Sequence, residues 1–207
     1  TDVFYKGKLV DRNAPIRVKT CGRALKHTVH LDKVKAEQFV LPIGKKKTHV
    51  IGINPSQITT EDLAVSLQPV ANYVPTDGYS KVAAVERHHN TGKIGVAVAK
   101  GYGIRNGAVA SSVSHDSHNI IVIGDNDRDM ALAVDEIIRT QGGYTVVENG
   151  EVFETLPLPI MGLMSDAGFE SVNETLDRMI KKAHEMGVPA DIEPFITLSF
   201  LALPVIP

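Results

Sequence analysis

Residues Asn119–Thr155 read NIIVIGDNDRDMALAVDEIIRTQGGYTVVENGEVFET, and three kinds of element follow one another in that stretch. Asn119 to Ile123 is the strongest strand candidate, because its four consecutive β-branched residues suit a pleated core. Asn126 is placed to cap a helix, with Asp129 three positions on as capping-box partner. Met130, Ala133, Val134, Ile137 and Ile138 then fall on one helical face, and Gly142-Gly143 ends the helix. Tyr144–Glu148 and Glu151–Thr155 flank Asn149-Gly150, the preferred type I′ hairpin turn, since both central residues need positive φ. A strand, a helix and a hairpin in that order predict an α+β fold. It is a mixed β-sheet with β-hairpins and two main helices packed on it, rather than a doubly wound parallel sheet.

Reading outward, a second helix is expected from about Gly168 to Met186. Its stripe is Phe169, Val172, Leu176, Ile180 and Ala183, and Gly187 followed by Pro189 stops it. Upstream, His49 to Ile53 is an apolar strand ended by Asn54-Pro55, and Glu61 to Leu67 is periodic without declaring its type. Lys81 to Glu86 reads as a buried strand that delivers Glu86-Arg87-His88-His89 to its end. Lys93 to Val98 is the next strand, Gly101, Gly103 and Gly107 punctuate the turn after it, and Ala108 to Val113 is small and apolar. Residues 48–207 are thus read as one domain. Before it, residues 1–20 hold a hairpin with a Lys6-Gly7 turn, and Pro15 stops its pairing. Two short strands are marginal alone in water, so the hairpin is expected to dock on something. Residues 21–47 read as a solvated connector with a helical turn around Leu31 to Phe39. Lys45, Lys46 and Lys47 have no interleaved aromatics, which argues against nucleic acid. The final ITLSFLALPVIP, Ile196 to Pro207, is almost wholly apolar and is expected to be buried, as in a fragment that stops inside a core.

The 207 residues are 43% hydrophobic and 22% charged, ordinary for one globular core. A formal net charge of −2 gives no electrostatic reason for a nucleic-acid or anionic-membrane partner. No apolar run approaches the roughly 20 residues that span a bilayer. The single cysteine, Cys21, cannot form an internal disulfide, so a reducing, cytoplasmic setting is the default. It also excludes zinc ribbons and the deaminases that need a Cys-x-x-Cys pair.

Two constellations carry possible chemistry. His115-Asp116-Ser117-His118-Asn119 lies in a turn before the strongest strand. Two imidazoles three apart, with a carboxylate between them, suit a divalent metal if the turn is helical. Alternatively Asp116 orients an imidazole for acid–base work, or Asp, Ser and Asn are simply turn formers bonding the backbone. Glu86-Arg87-His88-His89 suits the rim of an anionic or heteroaromatic ligand site, or an exposed strand end. Gly101-Tyr102-Gly103 lacks the spacing and the capped helix of a phosphate cradle. Asp125, Asp127 and Asp129 lack the Gly and Glu offsets of a calcium loop, and capping explains them better. No G-x-S-x-G elbow or S-x-x-K occurs.

VERHHNTGKIGVAVAKGYGIRNGAVASSVSHDSHNIIVIGDNDRDMALAV, from Val85 to Val134, resembles the carboxy-terminal domain of bacterial-type adenine deaminases of the amidohydrolase superfamily. GGYTVVENGEVFETLPLPIMGLMSD and ITLSFLALPVIP continue the likeness in order, so that it runs from about Thr48 to Pro207. The resemblance implies a parent that hydrolyses adenine to hypoxanthine and ammonia. Its divalent metal, manganese or iron, would sit on a (β/α)₈ barrel preceding Thr1. The partners implied are that barrel, adenine and further copies of the chain. No H-x-H occurs here, and no family metal ligand carries over. Within the matched strings, Arg87, His88, His115, Asp116, His118 and Asn119 are the candidate pocket or relay residues. His115 and His118 are the weak candidates for a metal. The alternatives are an oligomerisation module without substrate contact, and an independent metal site on His115, Asp116 and His118.

Overall fold

The computed structural model describes residues 2–11, 13–14, 22–44, 47–76 and 78–205. The expectations resting on Pro15, Val18, Cys21, Lys45 and Lys46 lie outside the described residues. Hairpin strands β1 (Phe4–Tyr5) and β2 (Lys8–Leu9) form a sheet of their own. The main sheet comprises β3 (Thr48–Ile53), β4 (Thr60–Val65), β5 (Tyr79–Val85), β6 (Ile94–Lys100), β7 (Gly107–Ser111), β8 (Ile120–Gly124), β9 (Gly143–Glu148) and β10 (Glu151–Pro157). Three α-helices accompany it: α1 (Asp127–Thr140), α2 (Phe169–Glu185) and α3 (Pro194–Leu201). The eight strands run in the order β10-β9-β7-β8-β5-β6-β3-β4. β3 and β6 pair in parallel, whereas the other neighbours pair antiparallel, giving the expected mixed sheet of an α+β fold.

The sheet is covered on both faces at its centre. Ile120 and Val122 of β8 point to one side, where Met130, Ala133, Val134 and Ile137 of α1 pack. Ile121 and Ile123 point to the other, against Met179 and Ala183 of α2 and Phe195 and Leu198 of α3. Two covered faces explain why β8 is an unbroken apolar run, buried at all five positions. The α1 cap forms as read: Asn126 Oδ1 accepts from Asp129 N at 2.8 Å, and Asn126 Nδ2 donates back to Asp129 Oδ2 at 3.0 Å. Asn149 and Gly150 take φ of 52° and 82° in the β9–β10 turn, as a type I′ turn requires.

Several expectations need correction. A third helix, α3, stands where only a buried apolar segment was read. Its sequence, PFITLSFL, has no amphipathic period, but Glu193 caps it by accepting from Ile196 N, and Pro194 opens it. Leu198 and Leu201 of that segment are buried, whereas Ile196 and Val205 are exposed. In α2 Val172, Leu176, Ile180 and Ala183 pack on the core as the stripe predicts, joined by the buried Met179, whereas Phe169 is 75% exposed and falls outside it. The left-handed residue ending α1 is Gln141, ahead of the glycines. Its side-chain Oε1 accepts from Val29 N at 3.2 Å, which gives glutamine a use there. Glu61 to Leu67 resolves into strand β4. The connector is not simply solvated, because Val29, Val34 and Phe39 pack into the α1-side core and its helical turn is a short 3₁₀ segment, Ala36–Phe39. The β1–β2 hairpin leaves Phe4, Tyr5 and Leu9 exposed.

Candidate functional site

Antiparallel pairing of Val85 with Ile120 brings the two polar strings together at one end of the sheet. Residues 86–89 leave β5 there, and residues 114–119 enter β8. Arg87 joins them. It is 2% exposed, and its Nε donates to the backbone oxygen of His118. Its Nη2 donates to Met161 O at 3.0 Å, and Nη1 reaches Thr28 O and Thr28 Oγ1, both at 3.3 Å. Three loops distant in sequence therefore hang on one guanidinium. Gly162, at φ 71°, lies flat against that group, and a Cβ there would stand 2.6 Å from Nη1. Burial pushes the Arg87 pKa down from its ordinary value. These contacts are all to neutral oxygens, so the cation is held by carbonyl dipoles.

Glu86 organises the segment beyond Arg87. Its Oε1 accepts from His88 N at 2.5 Å and His89 N at 2.9 Å. Its Oε2 accepts from Thr91 N at 3.1 Å and Thr91 Oγ1 at 2.9 Å. Desolvation pushes this carboxyl up, but the four donors outweigh it and hold the pKa at about 2. The His88 ring then reaches across, its Nε2 lying 2.8 Å from Ser117 O.

The second string is tied to α3. His115 N donates to Ser199 O at 2.8 Å, and the His115 ring lies 4.7 Å from the Phe200 ring, centroid to centroid. His115 and His118 meet edge to face at 5.8 Å. His118 takes a left-handed φ of 50°, and its N donates to Ser114 O at 2.6 Å. Asn119 N donates to Ser117 Oγ at 3.3 Å. Asp116 is exposed. Ser114 Oγ, His118 Nδ1 and Asn119 Oδ1 are buried atoms with no hydrogen-bond partner among the described residues. Burial lowers the His118 pKa, the nearby His115, Arg87 and His88 lower it further, and Asp116 opposes them. These effects together favour the neutral form of the His118 imidazole.

The structure brings Arg87, His88, His115, His118 and Asn119 into one cluster with Asp116 at its outer edge. Among the described residues, no three His, Cys, Asp or Glu side chains gather where one cation would reach them. What the cluster offers is two imidazoles and an exposed carboxylate on a turn fixed by Arg87. Sequence reasoning missed the partners Thr28, Met161 and Gly162, of which Met161 and Gly162 act through backbone atoms alone and Thr28 through its carbonyl and hydroxyl. It also missed Lys81, 1% exposed within β5. Its Nζ donates to Asp127 Oδ1 at 2.5 Å, Asn72 Oδ1 at 2.9 Å and Phe39 O at 3.0 Å. A lysine inside an apolar strand was the available signal.

Fold and site together define an α+β domain whose mixed sheet carries helices on both faces and a polar loop cluster locked at one end by a buried arginine. The chain belongs to the adenine deaminase C-terminal domain family, whose model matches residues 57–207. An adenine deaminase of Desulfitobacterium hafniense (strain Y51) is 49% identical over 99% of this chain and 36% of its own length. One from Nitratidesulfovibrio vulgaris (strain DP4) is 45% identical over 99% of this chain and 37% of its own. An adenine deaminase 2 of Carboxydothermus hydrogenoformans is 41% identical with the same two coverages, 99% and 37%. The chain thus spans little more than a third of the length of these relatives. Among the described residues, no helix is long and apolar enough to cross a membrane.

Proposed function

We propose that this chain is the carboxy-terminal part of a cytoplasmic, oligomeric, metal-dependent adenine deaminase, which converts adenine and water to hypoxanthine and ammonia. The observation that carries the reading is the likeness to proteins named adenine deaminase along 99% of this chain but only 36–37% of theirs. In this reading the hydrolytic step belongs to an amino-terminal barrel outside these residues, where a divalent metal, manganese or iron, would supply the activation of water. The part played here is positional. Arg87 and Glu86 fix the two strings, so that His88, His115, Asp116, His118 and Asn119 face the neighbouring part of the parent on a rigid turn. Neutral His118 and its neighbour His115 suit contact with a heteroaromatic ligand or a proton relay toward it. The test is alanine at His115 and His118 in the full-length protein. The expected result is a fall in kcat/KM for adenine of at least tenfold with subunit mass and metal content unchanged. Unchanged turnover with a smaller assembly would transfer the cluster to an oligomer interface.

A further inference from the structure

On the α2–α3 side the helices cover only half of the sheet. α3 packs on β7 and β8, and α2 on β9 and β10. Over β5, β6 and β3 the cover stops part-way: Val82, Ala99 and Ile53 are buried on this side, whereas the stretch holding Ala84, Gly95, Ala97 and Ile51 is left uncovered. Ala84, Ala97 and Ile51 point to this side and touch the core there, yet stay partly exposed. A Cβ built on Gly95 would meet nothing within 4 Å, whereas one on Gly107 would strike Val147 O at 2.0 Å. The opposite face of the same strands is closed by Leu41, Ile43 and Tyr73. A groove of about 490 Å³ lies over Ala84 and Gly95, and one of about 330 Å³ lies over Ile51 and Ala97. Gly95 and Ala97 are same-face neighbours on β6, so the two grooves adjoin. At the flank of α3 a third hollow, about 730 Å³, opens beside Ile58 and Ile196, which are 45% and 56% exposed. The first two make one trough, floored by Ala84, Gly95, Ala97 and Ile51, with polar ends. Glu86, Lys93 and Asn119 close one end, and the His49–Asp62 pair, at 2.8 Å, borders β4.

We propose that this trough seats a helix from the part of the parent polypeptide that lies outside these 207 residues, its apolar stripe laid over Ala97 and Ile51. The proposal rests on the reading of the chain as one part of a longer deaminase. The D. hafniense relative is nearly three times as long as the matched span, so ample chain exists to supply the element. Gly95, Ala97 and Ala84 allow a backbone to approach closely, and helices already cover the other half of this same face. An apolar floor with a polar rim is the usual anatomy of a packed interface. The trough also ends at Asn119, so its occupant would border the candidate site.

The test is thiol accessibility at residue 95. Gly95→Cys is made in the 207-residue chain and in the full-length protein, and maleimide attachment at that residue is timed by peptide mass spectrometry. The expected rate in the full-length protein is at least tenfold slower than in the 207-residue chain, where it does not change on dilution. Because a cysteine can itself disturb docking, carbene footprinting of the unsubstituted proteins is run beside it. The expected result is loss of labelling at Ile51 and residues 93–97 in the full-length protein. Equal accessibility in both forms by both methods overturns the proposal. Protection already present in the 207-residue chain and lost on dilution overturns it in favour of a second copy. The mass of the native polypeptide decides the underlying reading separately. A native product of only 207 residues overturns both, whereas a longer product with an open trough overturns the docking alone.

Discussion

Replacing Arg87 with methionine keeps most of the buried stem and removes every donor. The oxygens of His118 and Met161 then lose a charged partner, and each such bond contributes about 1.5–3 kcal/mol. The two contacts to Thr28, both 3.3 Å, add less. Removing a buried cation returns part of its desolvation cost, so the net loss is about 3 kcal/mol. With a urea slope of about 2–3 kcal/mol/M, the unfolding midpoint falls by about 1–1.5 M. Arg87→Lys is intermediate, because a single ammonium cannot span three loops. The assay is equilibrium urea unfolding of the 207-residue chain, with amide exchange to localise the effect. Exchange is expected to quicken in residues 115–119 and 158–164 before the central strands. A midpoint shift below about 0.3 M, or unchanged exchange in those loops, would refute the claim that Arg87 holds them.

Further outcomes follow from the same geometry. Gly107→Ala places a Cβ 2.0 Å from Val147 O in the adjoining strand and is expected to cost at least about 3 kcal/mol, while Gly95→Ala stays within about 0.5 kcal/mol of the parent in the isolated chain. Thermal unfolding reads both. Asn126→Ala removes the α1 cap and a partner of Asp129, for a loss of about 1–2 kcal/mol, or roughly 3–6 °C in Tm. His118 titrates below its ordinary value when folded, so the unfolded chain binds the extra proton first. Stability therefore falls as pH drops from about 6.5 toward the lowered folded pKa, and levels off below it. His118→Gln should flatten that step in urea midpoints measured between pH 7.5 and 5, and an identical step in the variant would remove His118 as its source.

The centre of the fold was legible because its local signals agree with its tertiary setting. Ile120 to Ile123, the Asn126 cap and the Asn149-Gly150 turn each use a short-range rule that the packed sheet then satisfies. α3 was not legible as a helix, since its exposed side carries Ile196 while its buried side carries Phe195, Leu198 and Leu201, so no polar face marks the period. The burial of Val29, Val34 and Phe39 was hidden for a related reason: they sit in extended or 3₁₀ chain whose contacts with α1 follow no sequence period. The site strings were readable as polar clusters at strand ends, but their meeting depends on the Val85–Ile120 register, which no local rule fixes. The role of Arg87 depends on carbonyls of Thr28, His118 and Met161, and a carbonyl is available at every residue.

The most direct test of the central claim is ammonia release from adenine by the full-length protein and by the 207-residue chain under identical conditions, with manganese present. The account predicts turnover by the full-length protein, abolished by chelation and restored by metal, and none by the 207-residue chain. Sustained deamination by the 207-residue chain alone would contradict it.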